Sequence, residues 1–434
     1  MKKYSKLLFG IACLTMSLLL LQSCKQESNT AIAKAEDYNQ YLSTQNLPTQ
    51  HTIDEELRFW NDRLGADSTE IVAMNKLAGI YTQRFGMTGD AADLYAAETL
   101  MQHTLEKAAR SKEAYLQSLA RNYISQHRFK EAKKLLDSAA TYPDGTRTTT
   151  LMMFDVNMEL GNYEQAYQNL QDVKNNSDFD YLIRLSKWSD HKGDLDAAIR
   201  YMEQAKQLAE NSDNRGLKIW TYTNIADYYG HAGRLQDSYA HYLKALQLQP
   251  DNAYAKKGVA WLVYSSERNP SEAHRILDSV LQYHRIPDYY LLKSELAAYD
   301  GDSDAAERYQ QAFLDAVEKG NYGAMYNTYL IESYLETNPD KALALAKKEV
   351  ANRATPETYQ LLAMAELQNG NKEQALQIIN DHVAGKTEEP MALYYSAKVY
   401  KANGLSEKWK PLQEELLTAS YELGPMMTAE IEKM

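Results

Sequence analysis

Short turn signals recur along this 434-residue sequence at a nearly constant interval, and this repetition constrains the fold more than any other feature. Most signals join a glycine or an Asn-Pro pair to a small residue a few positions later. They end at these residues: Ala132, Ala166, Ala198, Ser238, Ala273, Ala306, Ala342, Ala375 and Trp409. The successive intervals are 34, 32, 40, 35, 33, 36, 33 and 34 residues. Such periods are typical of solenoids built from stacked supersecondary units.

Each signal has the chemistry of a boundary between two helices. Glycine adopts the left-handed backbone that ends one helix, and Asp or Asn caps the next. Where glycine is missing before Ser271 and Asp340, an Asn-Pro pair stops the first helix instead. We therefore predict an all-α, right-handed solenoid of about ten helical hairpins with one concave helix face left open. The alternative is an all-helical bundle whose regular spacing is accidental.

Residues 221–252, TYTNIADYYGHAGRLQDSYAHYLKALQLQPDN, form the clearest unit. Small and aromatic residues stripe its two helices, and a proline closes it: Tyr222, Ile225, Ala226 and Tyr229, then Leu235, Ser238, Tyr242 and Ala245, and Pro250. This pattern resembles the tetratricopeptide repeat. The resemblance covers about residues 70–420. It implies a scaffold in which the first helix of each hairpin, helix A, faces a ligand.

The N-terminus has the layout of a secretory signal. Three lysines within residues 2–6 precede an uncharged apolar stretch at residues 7–21, which is shorter than the ~20 residues of a membrane span. Residues 21–24, Leu-Gln-Ser-Cys, resemble the lipobox of bacterial lipoproteins. The resemblance implies cleavage before Cys24 and attachment of fatty acyl chains such as palmitate to it. The alternatives are an uncleaved anchor or a secreted protein with an incidental cysteine.

The resemblance to a lipoprotein of a Gram-negative bacterium implies an outer-membrane protein anchored by lipid. Residues 25–28, Lys-Gln-Glu-Ser, resemble the acid-containing signals that lead some lipoproteins to the cell surface, and the periplasmic face is the alternative. The predicted segments are a signal peptide, an N-terminal tether, the repeat solenoid and a C-terminal tail, at residues 1–23, 24–50, 51–424 and 425–434 respectively.

Charge and cysteine content exclude several classes of function. The chain has 47 basic and 59 acidic residues, and loss of three lysines with the signal changes its net charge from −12 to 44 − 59 = −15. A chain this acidic repels nucleic acid. Cys13 lies in the predicted signal and Cys24 is the predicted lipid site, so no thiol is left for a disulfide, a zinc site or a nucleophile.

Motifs for catalysis or cofactors are incomplete. Residues 300–304 alternate Asp like a calcium loop, but Ala305 and Gln311 stand where that loop needs glycine and glutamate. Residues 385–387, Gly-Lys-Thr, lack the upstream glycine of a phosphate-binding loop, because Asn380 stands there. The nine histidines form no HExxH pattern. We therefore predict no enzyme activity, no cofactor and no metal.

What remains is a surface for binding a partner. Positions offset by one helical turn from the packing stripe of helix A select ten candidate partner-binding residues: Arg121, Lys187, Trp220, Thr223, Asp227, His231, Asn327, Tyr334, Tyr394 and Lys398. Trp220 and Tyr394 are candidate anchors, and the alternative is that they pack against neighbouring repeats. The tyrosine stripe at 322, 326 and 329 is predicted to be core.

One equivalent inner position in each repeat tests a known use of the family, the capture of a peptide's terminal carboxylate by clustered Lys, Arg and Asn. Along the array that position holds Arg121, Asp155, Lys187, Asp227, Leu262, Glu295, Ile331, Met364 and Lys398. The mixture of charges and apolar residues argues against that use. The first hypothesis is a lipid-anchored scaffold for a protein or peptide. The alternative is a glycan or small-ligand binder with a Tyr/Trp-lined groove, and an enzyme ranks third.

Overall fold

The structure is a computed structural model, and it describes residues 31–43, 47–65, 70–143 and 145–434. The predicted signal peptide and the predicted lipidation site Cys24 lie outside the described residues. Within the described ranges, none of the helices combines the length and the apolar composition that are needed to cross a membrane.

The described ranges consist of α-helices joined by turns and contain no β-strand. Two helices come first, α1 (Ala35–Tyr38) and α2 (Pro48–Leu64). Ten hairpins follow in the described chain: α3 (Ile71–Thr88) with α4 (Ala92–Lys107), α5 (Lys112–Ser125) with α6 (Phe129–Ala139), α7 (Thr146–Glu159) with α8 (Tyr163–Asp172), α9 (Phe179–His191) with α10 (Leu195–Glu210), α11 (Arg215–His231) with α12 (Leu235–Leu248), α13 (Ala253–Glu267) with α14 (Pro270–Leu281), α15 (Asp288–Tyr299) with α16 (Ser303–Gly320), α17 (Asn327–Tyr334) with α18 (Pro339–Asn352), α19 (Pro356–Gln368) with α20 (Lys372–His382), and α21 (Pro390–Ala402) with α22 (Ser406–Leu416). A last helix is α23 (Ser420–Glu432). The prediction of an all-α solenoid of about ten hairpins is confirmed.

The predicted turn signals coincide with the observed helix boundaries. Gly161, between α7 and α8, has the left-handed φ of 76°, and in the first signal, which lacks glycine, His127 has a φ of 56°. Asn269 caps α14 with its side chain, and Asp302 caps α16 by accepting a hydrogen bond of 2.9 Å from the N–H of Ala305. The Asp-rich stretch therefore contains a helix cap, as an inter-helix turn predicts.

A small residue ends eight of the nine signals, where the two helices of the hairpin meet. Seven of these residues are 0% exposed: Ala132, Ala166, Ala198, Ser238, Ala273, Ala342 and Ala375. Ala306 and Trp409 are half-buried. A side chain with one carbon beyond the backbone lets two helices approach to the short end of the usual 8–10 Å interaxial range. The period therefore marks a buried small residue in seven of the nine hairpins that carry a signal.

The solenoid winds tightly enough for its second turn to contact its first. The backbone N–H of Arg285 donates to the carbonyl of Thr88 at 2.8 Å, and the guanidinium of Arg353 lies 3.1 Å from the carboxylate of Glu159. In each case the partner lies five to six hairpins further along the chain. We call this line of contacts, between residues 88–193 and 285–388, the seam.

The seam corrects the expectation of an open concave face. A Cβ atom added to Gly161 would lie 2.5 Å from the carbonyl oxygen of Ala354, so the two turns touch without room for a side chain. The end of the chain also returns to the inner face, where α23 packs against α11, α13, α15 and α21. Residues 425–434, predicted as a tail, include most of this helix. The inner face is thus partly walled and partly covered.

The N-terminal segment packs on the outer side of the solenoid. Tyr38 is 2% exposed, and its hydroxyl donates to Glu272 at 2.6 Å. The hydroxyl of Ser279 donates to the carbonyl of Leu42 at the same distance, 2.6 Å. These contacts lie on α14, a second helix of its hairpin. Part of the predicted tether, residues 31–43, is therefore packed against the repeats.

The array is least regular between α16 and α17. α17 has 8 residues, and aromatic rings fill the space before it. Tyr322 and Tyr326 are each 7% exposed, as predicted for a core stripe, and Phe313 beside them is 0% exposed. The prediction is wrong for Tyr329, which is 40% exposed. One side of the Tyr329 ring contacts the rings of Phe313 and Tyr326, and its other side borders a groove.

Candidate functional site

Charged side chains join the first helices of successive hairpins along the inner face. The guanidinium of Arg184 lies 2.6 Å from Asp155, the amine of Lys187 lies 3.0 Å from Glu159, and an equivalent pair joins α13 to α15. The partners lie about one repeat apart in sequence, so the pairs fix neighbouring helices in register. They also make the inner face strongly polar.

The larger inner groove has a volume of about 750 Å³ and lies among α13, α15, α17, α19 and α21. Its apolar floor includes Leu292, Leu335 and Met364, and α23 contributes Met427 at one side. The charged lining consists of five carboxylates and two lysines: Asp288, Glu295, Glu332, Glu336, Glu430, Lys257 and Lys398. The groove is therefore a negatively charged slot over an apolar base.

The carboxylates of this groove are held by neighbouring side chains. Glu295 accepts a hydrogen bond from the hydroxyl of Tyr264 at 2.9 Å, and Glu332 accepts one from Tyr395 at 3.2 Å. Burial nevertheless raises the pKa of Glu332 to about 7, above its usual range. Burial also raises the pKa of Glu295. A cation that enters the groove favours the charged form of both carboxyl groups, so the pair suits recognition of a cation or a hydrogen-bond donor.

The two lysines are paired, so neither is a free cation. Lys257 lies 2.7 Å from Asp288, and Lys398 lies 3.1 Å from Glu430 of α23. Burial opposes the charge on Lys257, but the attraction and hydrogen bond of Asp288 leave the pKa of the amine raised. A ligand that carries a carboxylate would therefore have to compete with carboxylates of the protein itself.

A smaller inner groove of about 340 Å³ lies on the other side of α23. It contains Asp190, His231, Glu389 and Glu422, and the imidazole of His231 is 3.7 Å from Glu422. Burial, with the negative charges of Glu422 and Asp190, raises the pKa of Glu389 to about 7. Burial also raises the pKa of Asp190. Both inner grooves are thus acidic.

Two exposed tyrosine rings stand on the inner face beside these charges. Tyr329 lines the larger groove, and Tyr254 lies one helical turn before Lys257 and is 55% exposed. The hydroxyl of Tyr254 donates to Asp227 at 2.7 Å. An aromatic ring with an anchored hydroxyl offers a rigid flat surface to a ligand.

The structure brings five of the ten predicted partner-binding residues to the grooves or their edges. Tyr394 and Lys398 line the larger groove, and His231 lines the smaller one. Tyr394 is only 3% exposed, so its ring mainly packs against the repeats, which is the alternative to an anchor. Asp227 holds the ring of Tyr254 as described above. Lys187 borders a third cavity of about 200 Å³ at the seam, where it meets Glu159.

The other five predicted residues lie elsewhere. The hydroxyl of Thr223 donates to the carbonyl of Trp220 within the same helix, and the amide of Asn327 donates to a buried carboxylate, Glu349. Trp220 is 40% exposed and contacts Phe179 edge to face. Arg121 is exposed on α5. Tyr334 lines an outer groove near Lys341.

Sequence reasoning missed several groove residues because the inner register shifts between repeats. Leu262 and Ile331, aligned as inner positions, are both 0% exposed. Their neighbours Trp261 and Glu332 line the larger groove instead. The turn signals recur regularly, but they do not show that the inward-facing position moves by one residue between repeats. The sequence offers one weak indication for Lys257: it lies about one repeat before the acidic Asp288, a spacing that suits an ion pair between neighbouring first helices.

The described residues contain no group of three or more His, Cys, Asp or Glu side chains placed to hold a metal ion.

Comparison with known proteins finds one family model that matches part of the repeats. The tetratricopeptide repeat model matches residues 190–251. No curated protein matches this sequence. Similar solved structures include a signal transduction ATPase with numerous domains from Pyrococcus horikoshii, which has a tetratricopeptide repeat sensor. The sequence identity is 16% and the TM-score is 0.40, and the match covers 85% of this chain and 55% of that one. The present chain thus spans about half of that protein.

Two further structures have similar identity and are covered over nearly their whole length. A Rap protein complexed with competence and sporulation factor is 15% identical with a TM-score of 0.44, over 72% of this chain and 98% of that one. Yeast Tom70 is 15% identical with a TM-score of 0.37, over 88% of this chain and 92% of that one. The tetratricopeptide repeat model thus covers residues 190–251, within a solenoid of helical hairpins that the structure describes from Ile71 to Leu416.

Proposed function

We propose that this protein is a scaffold that binds a peptide segment of a protein partner in the larger inner groove, while a lipid on Cys24 anchors it to the bacterial cell envelope. The observation that supports the binding role is the lining of that groove, with five carboxylates and two paired lysines above an apolar floor. A segment that carries Lys or Arg among apolar side chains complements this lining. The partner is therefore a basic, partly apolar peptide.

The polar contacts favour binding over catalysis. The carboxylates Asp288, Glu295, Glu332 and Glu430 each accept a hydrogen bond from a lysine or tyrosine of the protein. Such groups are positioned to recognise donors, and a general base needs an open line to a reacting proton. The paired lysines likewise disfavour recognition of a terminal carboxylate. We infer no reaction at this groove.

Site-specific photo-crosslinking tests the binding role. A photoreactive phenylalanine analogue at Tyr329 should capture a partner in intact cells that produce the full chain. The same analogue at Tyr167, which is 45% exposed on α8, is the matched control and should not capture it. Charge reversal by Glu332→Lys should abolish the product at Tyr329. Equal capture at both positions, or capture that survives Glu332→Lys, would contradict a partner in this groove.

The lipid anchor rests on the lipobox-like residues 21–24 and on the apolar stretch before them. Acyl chains contribute about 0.8 kcal/mol of membrane affinity per buried methylene group, so two long chains hold a protein at a bilayer permanently. Metabolic labelling with an alkyne fatty acid should mark the wild-type chain and leave Cys24→Ser unlabelled. We place the protein at the outer membrane, on the periplasmic face or the cell surface. An unlabelled wild-type chain would refute the anchor.

A glycan or small-ligand binder is the second candidate. The observation that favours it is the pair of exposed rings, Tyr254 and Tyr329, beside carboxylates that can accept hydrogen bonds from sugar hydroxyls. Calorimetric titration with maltohexaose as the neutral probe should then give saturable binding that Tyr329→Ala removes. Binding that is unaffected by Tyr329→Ala would exclude this groove as the sugar site.

A further inference from the structure

The helix α23 separates the two inner grooves. The residues just before it and at its start, including Thr418 and Glu422, line the smaller groove, and Met427 and Glu430 line the larger one. The segment from 417 onward thus lies along the inner face as a ligand would, with a groove on each side. Without it, the two grooves would be one continuous trough.

The backbone of this segment is held by side chains of α13. The carbonyl of Tyr421 accepts a hydrogen bond of 3.2 Å from the indole N–H of Trp261 and another of 2.6 Å from the hydroxyl of Ser265. The ring of Tyr421 lies so close to α11 that a Cβ added to Gly230 would be 2.6 Å from it. The inner face therefore has a place for an aromatic ring and a fixed pair of donors for the carbonyl beside it.

The next part of the segment fits through a backbone shape that only glycine readily adopts. Gly424 has φ 76° and ψ 169°, and it interrupts the helix just before Pro425. A Cβ on Gly424 would lie 2.8 Å from the ring of Trp261 and 3.0 Å from a carboxylate oxygen of Glu295. The surface thus accepts a Gly-Pro bend and rejects other residues at that point.

The edges of the segment carry ion pairs that water can replace, whereas near its end Ile431 is 0% exposed and accepts a hydrogen bond from Gln413 at 2.6 Å through its carbonyl. Glu422 faces His231 at 3.7 Å and Glu430 faces Lys398 at 3.1 Å, while Met426 is 40% exposed. Pairs of this kind contribute about 0–1 kcal/mol each. The segment is therefore specific in its centre and weakly held through its ion pairs, and Ile431 is the apolar contact that a replacing segment has to displace.

We propose that the surface beneath α23 is a peptide-binding site for a segment with an aromatic residue three positions before Gly-Pro, and that residues 417–434 are its intramolecular occupant. A partner segment with this pattern replaces α23 and then extends into the trough. This inference deepens the proposed function, because it names a sequence pattern for part of the partner. It does not depend on the lipid anchor.

Binding in trans tests the proposal on the full mature chain carrying Cys24→Ser. The probe is a fluorescent peptide of residues 417–434, and the control probe is the same peptide with Gly424→Val. In the wild-type chain α23 competes with the probe for the site. The apparent dissociation constant of the probe is therefore its intrinsic value divided by the fraction of chains in which the site is open. The chain variant Gly424→Val should release α23 and bind the wild-type peptide at least about tenfold more tightly than the wild-type chain does.

Two controls make the outcome decisive. The variant Met426→Ala changes an exposed side chain of the same helix and should bind the probe as the wild-type chain does. Adding Trp261→Ala to Gly424→Val should abolish binding. No binding by a folded Gly424→Val chain, or equal binding of the two probes, would overturn the proposal.

Hydrogen exchange decides the matter even if Gly424→Val fails to fold. In the wild-type chain, amides of residues 420–432 should exchange through a local opening, well before those of Ala253–Glu267 on α13. Exchange of both segments only on global unfolding would show that α23 is a fixed part of the core, and the proposal would fail. Photo-crosslinking at Tyr329 reads the larger groove independently, so failure of this site is distinguishable from failure of the proposed function.

Discussion

The side-chain amine of Lys257 on α13 lies 2.7 Å from a carboxylate oxygen of Asp288 on α15. Asp288 is also within 3.3 Å of the hydroxyl of Tyr326, which belongs to the aromatic cluster before α17. One carboxylate thus links the lining of the larger groove to the least regular joint of the solenoid. Changes at this pair should affect stability as well as binding.

Removal of the cation of this pair should destabilise the protein. Lys257→Ala leaves the carboxylate of Asp288, whose side chain is 12% exposed, without its ionic partner. We expect the free energy of unfolding to fall by about 1–3 kcal/mol, the cost of an unsatisfied buried polar group. Urea denaturation measures this. Lys133→Ala breaks an exposed pair with Asp137 and should cost less than about 1 kcal/mol, so equal losses would contradict the role given to Asp288.

Gly161 at the seam and Gly370 in another turn make a matched test of the contact between turns. Both have a left-handed φ, 76° and 83°, but a Cβ at Gly161 would meet Ala354 whereas Gly370 has open space around it. Alanine at either position carries a backbone cost of about 1–2 kcal/mol. Only Gly161→Ala should also open the seam and increase the radius of gyration in small-angle scattering. Equal scattering from the two variants would mean that the turns do not hold each other.

Stability should fall as pH rises through neutrality because of Glu332. Its folded pKa is about 7, raised by burial from 4.5. A raised folded pKa means that the stabilising contribution is complete below pH 4.5 and is lost as pH rises through 7. Thermal unfolding from pH 5 to 8.5 should show this loss, and Glu332→Gln should reduce its slope. A profile that is unchanged in Glu332→Gln would place the titration elsewhere, for example at Glu389.

Acid should destabilise the protein through His284. This residue is 8% exposed, its Nδ1 lies 2.8 Å from the hydroxyl of Tyr289, and burial lowers its pKa to about 4. A lowered folded pKa means that the contribution is present above pH 6.5 and is lost as pH falls toward 4. The loss should be about 3 kcal/mol between pH 7 and 4. His284→Gln should remove this dependence, while His51→Gln, at a side chain that is 75% exposed, should retain it.

Local features of the fold were predictable from sequence because they repeat. The turn signals report helix caps and close contacts such as Ala132 and Ala166, which involve residues a few positions apart. The seam was not predictable in this way, because Gly161 reads as an ordinary helix stop until Ala354 is placed beside it. The same holds for Gly424, whose partner Trp261 lies in a distant repeat.

The candidate site was harder to predict than the fold. Lys398 was found because its repeat keeps the regular register, and it lines the larger groove. Tyr329 was assigned to the core because its spacing matches two buried tyrosines. Spacing identifies the side of a helix on which a residue lies. It does not report how far α16 and α17 diverge, and this divergence decides whether that side is covered. That divergence is a long-range property of the packed chain.

The seam also limits how a chain of this design can change its length. An open array can gain or lose one hairpin anywhere, since each unit touches only those beside it. Here Glu159 meets Arg353 across the turns, and duplication of one intervening hairpin would move every such partner on by a full unit. Descendants of this sequence can therefore lengthen only beyond the two ends of the paired region, and its interior number of repeats is fixed by its own geometry.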